Sequence, residues 1–392
     1  MMSGRPLRIL YISDVYFPRV NGVSTSIETF RKELAALGHE IVLVAPAYPA
    51  LYADNADTVR VPSWQVPGDP EDRAMHWRKL REATRGLNAR RFDIVHVQTP
   101  FLAHYAGMKL AREWQLPCVI TYHTLFEEYL GHYLPMVPRR AVRYAARAFS
   151  RSQCNSADLV IVPSTAMRET MQRYGVTARV EIVPTGIPLD DFANRDGARF
   201  RAQYGIAAET PVLLFVGRVA FEKNIEFLLR VVDRVRHAVR DVLLVVSGEG
   251  PALASLRRAA ADAGLRDHVR FVGYLDRPTV LADCYAAADV FVFASRTETQ
   301  GLVLLEAMAA GLPVVSTAVM GTRDIVGPGR GALVAEDDED DFAAKVVTLL
   351  RNPDLKRNVA GEGIEYARTW SAAATAVRLQ ETYLGLTGQR PR

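Results

Sequence analysis

The stretch that decides the fold is residues 212–250, VLLFVGRVAFEKNIEFLLRVVDRVRHAVRDVLLVVSGEG. It opens with a short apolar run that ends at Gly217. A segment with apolar residues at three- and four-residue spacing follows at 225–238, and a second apolar run begins at Val242. Two buried-looking runs joined by an amphipathic segment predict two parallel strands connected by a helix.

The same alternation extends over most of the chain. Short apolar runs recur at 8–13, 40–46, 93–98, 118–123, 159–164, 180–186, 269–275 and 290–295. This pattern predicts an α/β protein with two Rossmann-like, doubly wound parallel sheets, facing each other across a cleft. We place the first domain at 1–188, a linker at 189–197 and the second domain at 198–365. An amphipathic helix in 366–392 is expected to pack back on the first domain.

Composition narrows the class of protein. Of 392 residues, 49% are hydrophobic and 23% are charged, as in ordinary soluble globular proteins. The three cysteines have no metal-ligand spacing, which favours a reducing cytosol and argues against a zinc site. The N-terminus reads as a buried strand and no apolar run is long enough to span a membrane. Residues 1–189 carry 23 Lys and Arg against 17 Asp and Glu, which hints at an anionic partner other than nucleic acid.

Parallel sheets bind ligands at the carboxyl ends of their strands, so the residues after each strand are the candidates. Asn21 and Gly22 follow the first strand, just ahead of a helix whose N-terminus favours anions. Arg218 and Lys223 follow the strand at 212–216 and suit a pyrophosphate. For Asn21 and Gly22 the alternative is an ordinary turn, and for Arg218 and Lys223 it is a pair of solvated surface cations. The chain has no GxxxxGK[ST] loop and no GxGxxG fingerprint, which disfavours an ATPase and a dehydrogenase.

A second group of candidates lies in SRTETQGLVLLEAMAAG, residues 295–311. If a helix begins near Gly301, the backbone N–H groups of Gly301, Leu302 and Val303 can bind a diphosphate. Glu298 then precedes the helix and Glu306 lies about one and a half turns inside it. Two carboxylates flanking a diphosphate site can accept hydrogen bonds from sugar and ribose hydroxyls. The pattern indicates a sugar nucleotide.

The ordered set of Arg218, Lys223 and the Glu-x7-Glu pair resembles the retaining glycosyltransferases with the GT-B fold, of the family four type. The resemblance implies that Glu306 holds the ribose hydroxyls, that Glu298 lies at the transferred sugar, and that the two cations stabilise the leaving diphosphate. It also implies a donor-side role for His123 in VITYHT. The remaining donor-binding candidates, Gly248 and the nucleoside loop Gly273, Tyr274 and Leu275, would act mostly through backbone.

Three features resemble the subgroup that glycosylates diacylglycerol or related lipids. These are Gln300 in ETQGL, the Asn21–Gly22 pair and the stretch YHTLFEEYLGHYLP with Tyr129. The next segment has a stripe of cations, which suits an anionic membrane surface, with Val142, Tyr144 and Phe149 for shallow insertion. Its arginines are Arg139, Arg140, Arg143, Arg147 and Arg151. A solvated helix is the alternative.

The sequence therefore predicts a retaining hexosyltransferase that needs no metal or other cofactor. We expect UDP-glucose as donor, a membrane lipid such as diacylglycerol as acceptor, and peripheral association with the inner face of the cytoplasmic membrane. Transfer of mannose from GDP-mannose to a lipid or polysaccharide precursor is the alternative within the family. A sugar-nucleotide epimerase and a non-catalytic sugar-nucleotide-binding module are alternatives of other classes.

Overall fold

The computed structural model describes residues 5–49, 52–66, 73–87, 92–123, 125, 138–192, 195–276 and 279–388. The chain forms two compact units. Unit 1 comprises Met1–Gly186 and Ala372–Arg392, and unit 2 comprises Ile187–Ser371. Each unit is an α/β structure, as the alternating pattern predicts.

The described part of the first 186 residues forms nine strands and five helices of unit 1. The strands are β1 Arg8–Ile12, β2 Glu40–Pro46, β3 Thr58–Val61, β4 Ser63–Gln65, β5 Arg73–Met75, β6 Ile94–Val97, β7 Cys118–Thr121, β8 Leu159–Val162 and β9 Val180–Ile182. The helices are α1 Gly22–Ala36, α2 Trp77–Arg85, α3 Leu102–Trp114, α4 Arg139–Cys154 and α5 Thr165–Arg173.

The described residues of unit 2 form six strands and seven α-helices, and the last described helix of the chain returns to unit 1. The strands are β10 Val212–Val216, β11 Leu243–Ser247, β12 Val269–Gly273, β13 Val290–Phe293, β14 Val314–Thr317 and β15 Ala332–Ala335. The helices are α6 Gly197–Gln203, α7 Ile225–Val235, α8 Leu253–Asp262, α9 Thr279–Ala286, α10 Leu302–Ala309, α11 Glu339–Arg351 and α12 Pro353–Arg368. The returning helix is α13 Ala372–Leu386.

The main sheet of unit 1 is parallel, with strand order β3-β2-β1-β6-β7-β8-β9. Alternate residues of β1 belong to two separate cores, with Ile9 and Tyr11 on one face and Leu10 and Ile12 on the other. Burial on both faces explains why its strands read as continuous apolar runs. Helix α13 packs on the Tyr11 face, where Tyr383 is fully buried.

The sheet of unit 2 is also parallel, in the order β12-β11-β10-β13-β14-β15. This is the Rossmann order, in which the chain reverses its direction of travel across the sheet between β10 and β13. Such a switch point leaves room for a ligand outside the carboxyl ends of the two strands. In unit 1 the equivalent point lies between β1 and β6.

The chain passes between units at 186/187 and at 371/372, whereas the sequence analysis placed these boundaries at 188/189 and 365/366. Residues 366–371 stay with unit 2 because α12 continues to Arg368 and Ile187 pairs with Ser371. In unit 1 a Cβ at Gly186 would lie 2.6 Å from the Cα of Ala372. A larger residue than glycine would therefore separate the two connecting segments.

Candidate functional site

The loops after β10 and β13 meet at the switch point of unit 2. Lys223 lies in a short 3₁₀ turn after β10, and its Nζ donates a hydrogen bond to Oε1 of Glu298 in the loop after β13. Both side chains are 18% exposed. Two candidates that are distant in sequence are thus brought into direct contact by the strand order.

Arg218 lies two residues beyond the end of β10, in the segment that leads to the 3₁₀ turn with Lys223. Its Nη1 is 3.8 Å from Oε1 of Glu222, and the side chain is 36% exposed. Gly248 shapes this region because its φ is +132° and a Cβ there would lie 1.9 Å from the carbonyl oxygen of Gly217. Glycine at 248 thus allows the loop after β11 to close against the loop that carries Arg218.

Helix α10 begins at Leu302 with Gly301 as its N-cap, in agreement with the predicted start near Gly301. The φ of Gly301 is +99°, a left-handed conformation that favours glycine. The backbone N–H of Gly321 donates a hydrogen bond of 2.9 Å to the carbonyl oxygen of Glu298. This bond links the loop before α10 to the 3₁₀ turn that follows β14. The first turn of α10, with Leu302 and Val303, begins four residues after Glu298.

Glu306 lies on the second turn of α10 and is 2% exposed. The hydroxyl of Tyr285, on α9, donates a hydrogen bond of 2.9 Å to its Oε2. The candidate ribose-binding carboxylate is therefore an almost fully buried group with a phenol partner.

The proposed nucleoside loop follows β12. Gly273 has a φ of +74°, and its carbonyl oxygen accepts a hydrogen bond of 2.8 Å from the backbone N–H of Gly248. Tyr274 is 50% exposed, whereas Leu275 is 5% exposed and belongs to the core of unit 2. The side chain of Leu275 is therefore part of the core, and a contact of Leu275 with a nucleoside would have to come from its backbone.

In unit 1, Asn21 caps α1, because its side chain accepts a hydrogen bond from the backbone N–H of Ser24 at 2.9 Å. Gly22 is the first residue of α1 and has no positive φ. No described atom lies within 4 Å of the position of a Cβ at Gly22. A larger residue would therefore fit at position 22, and the space beside the start of α1 is free of described atoms.

His123 follows β7, and its Nε2 is 3.1 Å from Oε1 of Gln98, which follows β6. Burial lowers the pKa of His123 to about 4, so the ring is neutral at neutral pH. A small cavity of about 30 Å³ is lined by both residues and by Thr99 and Thr121. His123 is thus available as a neutral hydrogen-bonding group rather than as a cation.

Helix α4 carries the predicted arginine stripe. It begins at Arg139, and Arg140, Arg143, Arg147 and Arg151 are exposed. The buried face of α4 is formed by Val142, Ala146 and Ser150. The expectation that Val142 inserts into a membrane is wrong, because this side chain is 5% exposed and packs inside unit 1, whereas Tyr144 is 75% exposed. Tyr129 lies outside the described residues.

Known proteins resemble the chain over nearly its full length. The family described as "Glycosyltransferase Family 4" matches residues 20–191, and "Glycosyl transferases group 1" matches residues 196–368. Alpha-monoglucosyldiacylglycerol synthase of Streptococcus pneumoniae is 31% identical over 96% of this chain and 86% of its own. The chain belongs to this family of glycosyltransferases. The predicted resemblance is thereby confirmed.

One further sequence relative and one solved structure resemble this glycosyltransferase. A GDP-mannose-dependent alpha-mannosyltransferase of Mycobacterium tuberculosis is 32% identical over 92% of this chain and 90% of its own. The structure of sucrose-phosphate synthase from Thermosynechococcus elongatus has a TM-score of 0.78 at 25% identity, covering 97% of this chain and 99% of that one. Together with the two parallel sheets, this likeness confirms the α/β class and the GT-B fold.

Two residues of the candidate sites in this glycosyltransferase were missed by the sequence analysis. Tyr285 contacts Glu306, and Gln98 contacts His123. A polar residue directly after a strand, as Gln98 is after β6, is a usable signal, whereas Tyr285 lies within an ordinary helix sequence.

The described part of the glycosyltransferase contains neither a metal cluster nor a membrane-spanning helix. There, no group of three or more His, Cys, Asp or Glu side chains is arranged to hold a metal ion. None of the helices described is both long and apolar enough to cross a membrane.

Proposed function

We propose that this glycosyltransferase transfers a hexose, with retention of configuration at C1, from a sugar nucleotide to a membrane lipid. The donor is UDP-glucose and the acceptor is diacylglycerol or a similar lipid. The observation that carries the proposal is the contact of Lys223 with Glu298 next to the first turn of α10, in a chain of this family.

The donor diphosphate binds to unit 2 in this proposal. Lys223 is largely removed from solvent and its charge therefore acts more strongly than it would at the surface. Arg218 contributes a second cation, and the N-terminus of α10 contributes backbone N–H groups and the positive end of the helix dipole. These groups neutralise the charge that develops on the leaving diphosphate, so the proposal requires no metal or other cofactor.

In the proposed reaction these groups assist a substitution at C1 of the donor sugar. The acceptor hydroxyl oxygen forms the new bond to C1, and the bond from C1 to the diphosphate oxygen breaks with its electron pair left on that oxygen. The hydroxyl proton passes to the diphosphate, and the new bond forms on the face from which the diphosphate leaves. Glu298 accepts hydrogen bonds from the transferred sugar, and Glu306 accepts them from the ribose. His123 takes part as a neutral hydrogen-bonding group.

A lipid acceptor is supported by the relative from Streptococcus pneumoniae and by α4 of unit 1. Exposed arginines on one helix suit an anionic leaflet, where each contributes roughly 1 kcal/mol. Exposed Tyr144 adds an aromatic ring of the kind found at membrane interfaces. The enzyme accordingly works as a peripheral protein on the inner face of the cytoplasmic membrane.

Mannose transfer from GDP-mannose is a second candidate function, favoured by the relative from Mycobacterium tuberculosis. The test is incubation with radiolabelled UDP-glucose or GDP-mannose, each with and without diacylglycerol vesicles. If only UDP-glucose labels the lipid fraction, the proposal is supported. If only GDP-mannose labels it, the second candidate is supported. Donor binding without any product indicates a non-catalytic module, and an epimerised donor formed without acceptor indicates an epimerase.

A further inference from the structure

Glu306 accepts a hydrogen bond from a phenol on a neighbouring helix. The carboxylate is 2% exposed, and Tyr285, whose hydroxyl donates to Oε2 at 2.9 Å, is fully buried. Such a bond between a buried phenol and a buried carboxylate is stronger than the same bond at the surface. It restrains the orientation of the carboxylate.

The ring of Tyr285 is itself fixed by aromatic neighbours. Phe192 meets it edge-on, with ring centroids 5.8 Å apart, and Phe291 of β13 lies tilted against it at 5.9 Å. Both phenylalanines are buried in the core of unit 2. Because two separate elements pack against the ring, the hydroxyl can move only if the surrounding core moves with it.

A glutamate side chain has several rotatable bonds, and ordering it upon ligand binding costs conformational entropy. A carboxylate that is already oriented in the free protein avoids most of this cost. The hydrogen bond from Tyr285 supplies that orientation at the carboxylate to which the ribose hydroxyls are assigned.

We propose that Tyr285 is a positioning residue for ribose recognition, acting through Glu306. The inference rests on the proposed function, in which Glu306 binds the ribose of the donor. It predicts that the phenol hydroxyl sets donor affinity and discriminates ribose from sugars without hydroxyls, although it does not touch the donor.

The test uses Tyr285→Phe in the full chain, with UDP and 2′,3′-dideoxy-UDP as probes in titration calorimetry. We expect UDP to bind about ten-fold more weakly to the variant than to the wild type. Binding of 2′,3′-dideoxy-UDP, which has no ribose hydroxyls, should be the same in both proteins. In a transfer assay, KM for the donor should rise about ten-fold while kcat at saturating donor stays within about two-fold.

A matched control is Tyr11→Phe in unit 1, which also removes a hydroxyl from a fully buried tyrosine that pairs with another side chain. This variant should bind both probes like the wild type. Should Tyr285→Phe fail to fold, Tyr285→Phe with Glu306→Leu removes both partners of this hydrogen bond together. UDP should bind this double variant no better than 2′,3′-dideoxy-UDP, and with the affinity of Glu306→Leu alone.

The inference is overturned if Tyr285→Phe binds UDP as tightly as the wild type, or if both probes lose affinity equally. It is also overturned if the double variant binds UDP differently from Glu306→Leu alone. If the wild type itself binds neither UDP nor GDP, the proposed function fails and the inference fails with it. The two failures are therefore distinguishable by the wild-type titration.

Discussion

Lys223 and Glu298 are 75 residues apart in the chain and form an ion pair at the switch point of unit 2. One follows β10 and the other follows β13, two neighbouring strands of the sheet. In the proposed function, the pair places a cation for the leaving diphosphate next to a carboxylate for the transferred sugar. It also means that removal of either partner leaves the other partly buried and uncompensated.

The two glutamates should differ in their kinetic roles. Glu306→Gln should mainly raise KM for the donor, because a contact to ribose is the same before and during the reaction. Glu298→Gln should instead lower kcat more than it raises KM, because its contact is to the sugar that undergoes substitution. Steady-state kinetics with the donor varied measures both. Equal and purely KM-type losses would contradict the division of roles.

Removal of a cation from the diphosphate site should slow the reaction without unfolding the chain. We expect Arg218→Ala or Lys223→Ala to lower kcat by roughly 100- to 1,000-fold, as loss of one charge-stabilising group typically does. The matched control is Lys356→Ala, which breaks an ion pair of 2.8 Å between Lys356 of α12 and Asp289. Asp289 lies beside the start of β10, where it accepts a hydrogen bond from the backbone N–H of Val212, and Lys223 follows the other end of that strand. If Lys356→Ala costs as much activity as Lys223→Ala, the assignment of Lys223 to the leaving group is wrong.

Membrane binding should depend on the arginines of α4. Vesicle binding should rise with the fraction of anionic lipid and fall with salt, because the attraction is electrostatic. Changing Arg139, Arg140, Arg143 and Arg147 to Ser should lower transfer to vesicle lipid far more than any hydrolysis of the donor in solution. Sedimentation with vesicles and the two activity assays measure these effects.

The control for the arginine variant removes the same charge from unit 2. It changes Arg230, Arg234, Arg357 and Arg368 to Ser, all exposed and in surface ion pairs. Such pairs contribute little stability. Equal loss of vesicle binding in both variants would show that overall charge, and not α4, determines the attraction.

Acidification from pH 7 to pH 5 should destabilise unit 1. Burial lowers the pKa of His96 to about 3 and those of His104 and His123 to about 4, against an ordinary value of 6.5. Between these values the unfolded chain binds more protons than the folded one, so stability falls as pH falls. Asp14 acts in the opposite direction, because burial raises its pKa to about 6. The three histidines together outweigh this single carboxyl group.

Urea unfolding followed at pH 7 and pH 5 checks this prediction, with His96→Gln as the comparison variant. The variant should lose less stability than the wild type over the same interval, because one of the three proton-binding groups is absent. An unchanged or increased free energy of unfolding of the wild type at pH 5 would refute it.

Much of the fold follows from the sequence because it is encoded locally. The run at 212–218 predicts β10, which spans Val212–Val216, and Gly301 predicts the start of α10. In a parallel sheet with both faces covered, each strand is a continuous apolar run between turn residues, so the strands can be recognised one at a time. The boundaries between units were less accurate, since they depend on how α12 packs and on the pairing of Ile187.

Side-chain environments were predicted less well, because they depend on contacts over long sequence distances. In the sequence Val142 is an apolar residue among arginines, and only the packing of α4 within unit 1 shows that its side chain is buried. Tyr285 gives no signal of its contact with Glu306, since the two residues lie on different helices. The pairing of Gln98 with His123 requires the adjacency of β6 and β7.

The central claim, retaining and metal-independent transfer of glucose from UDP-glucose to diacylglycerol, is tested most directly by the product. The protein is incubated with UDP-glucose and vesicles of diacylglycerol and anionic phospholipid in the presence of EDTA, and the glycolipid is analysed by proton NMR. We predict an α-linked glucosyl diacylglycerol, formed at the same rate with and without EDTA. A β-linked product, or activity that EDTA abolishes and magnesium or manganese restores, would contradict the account.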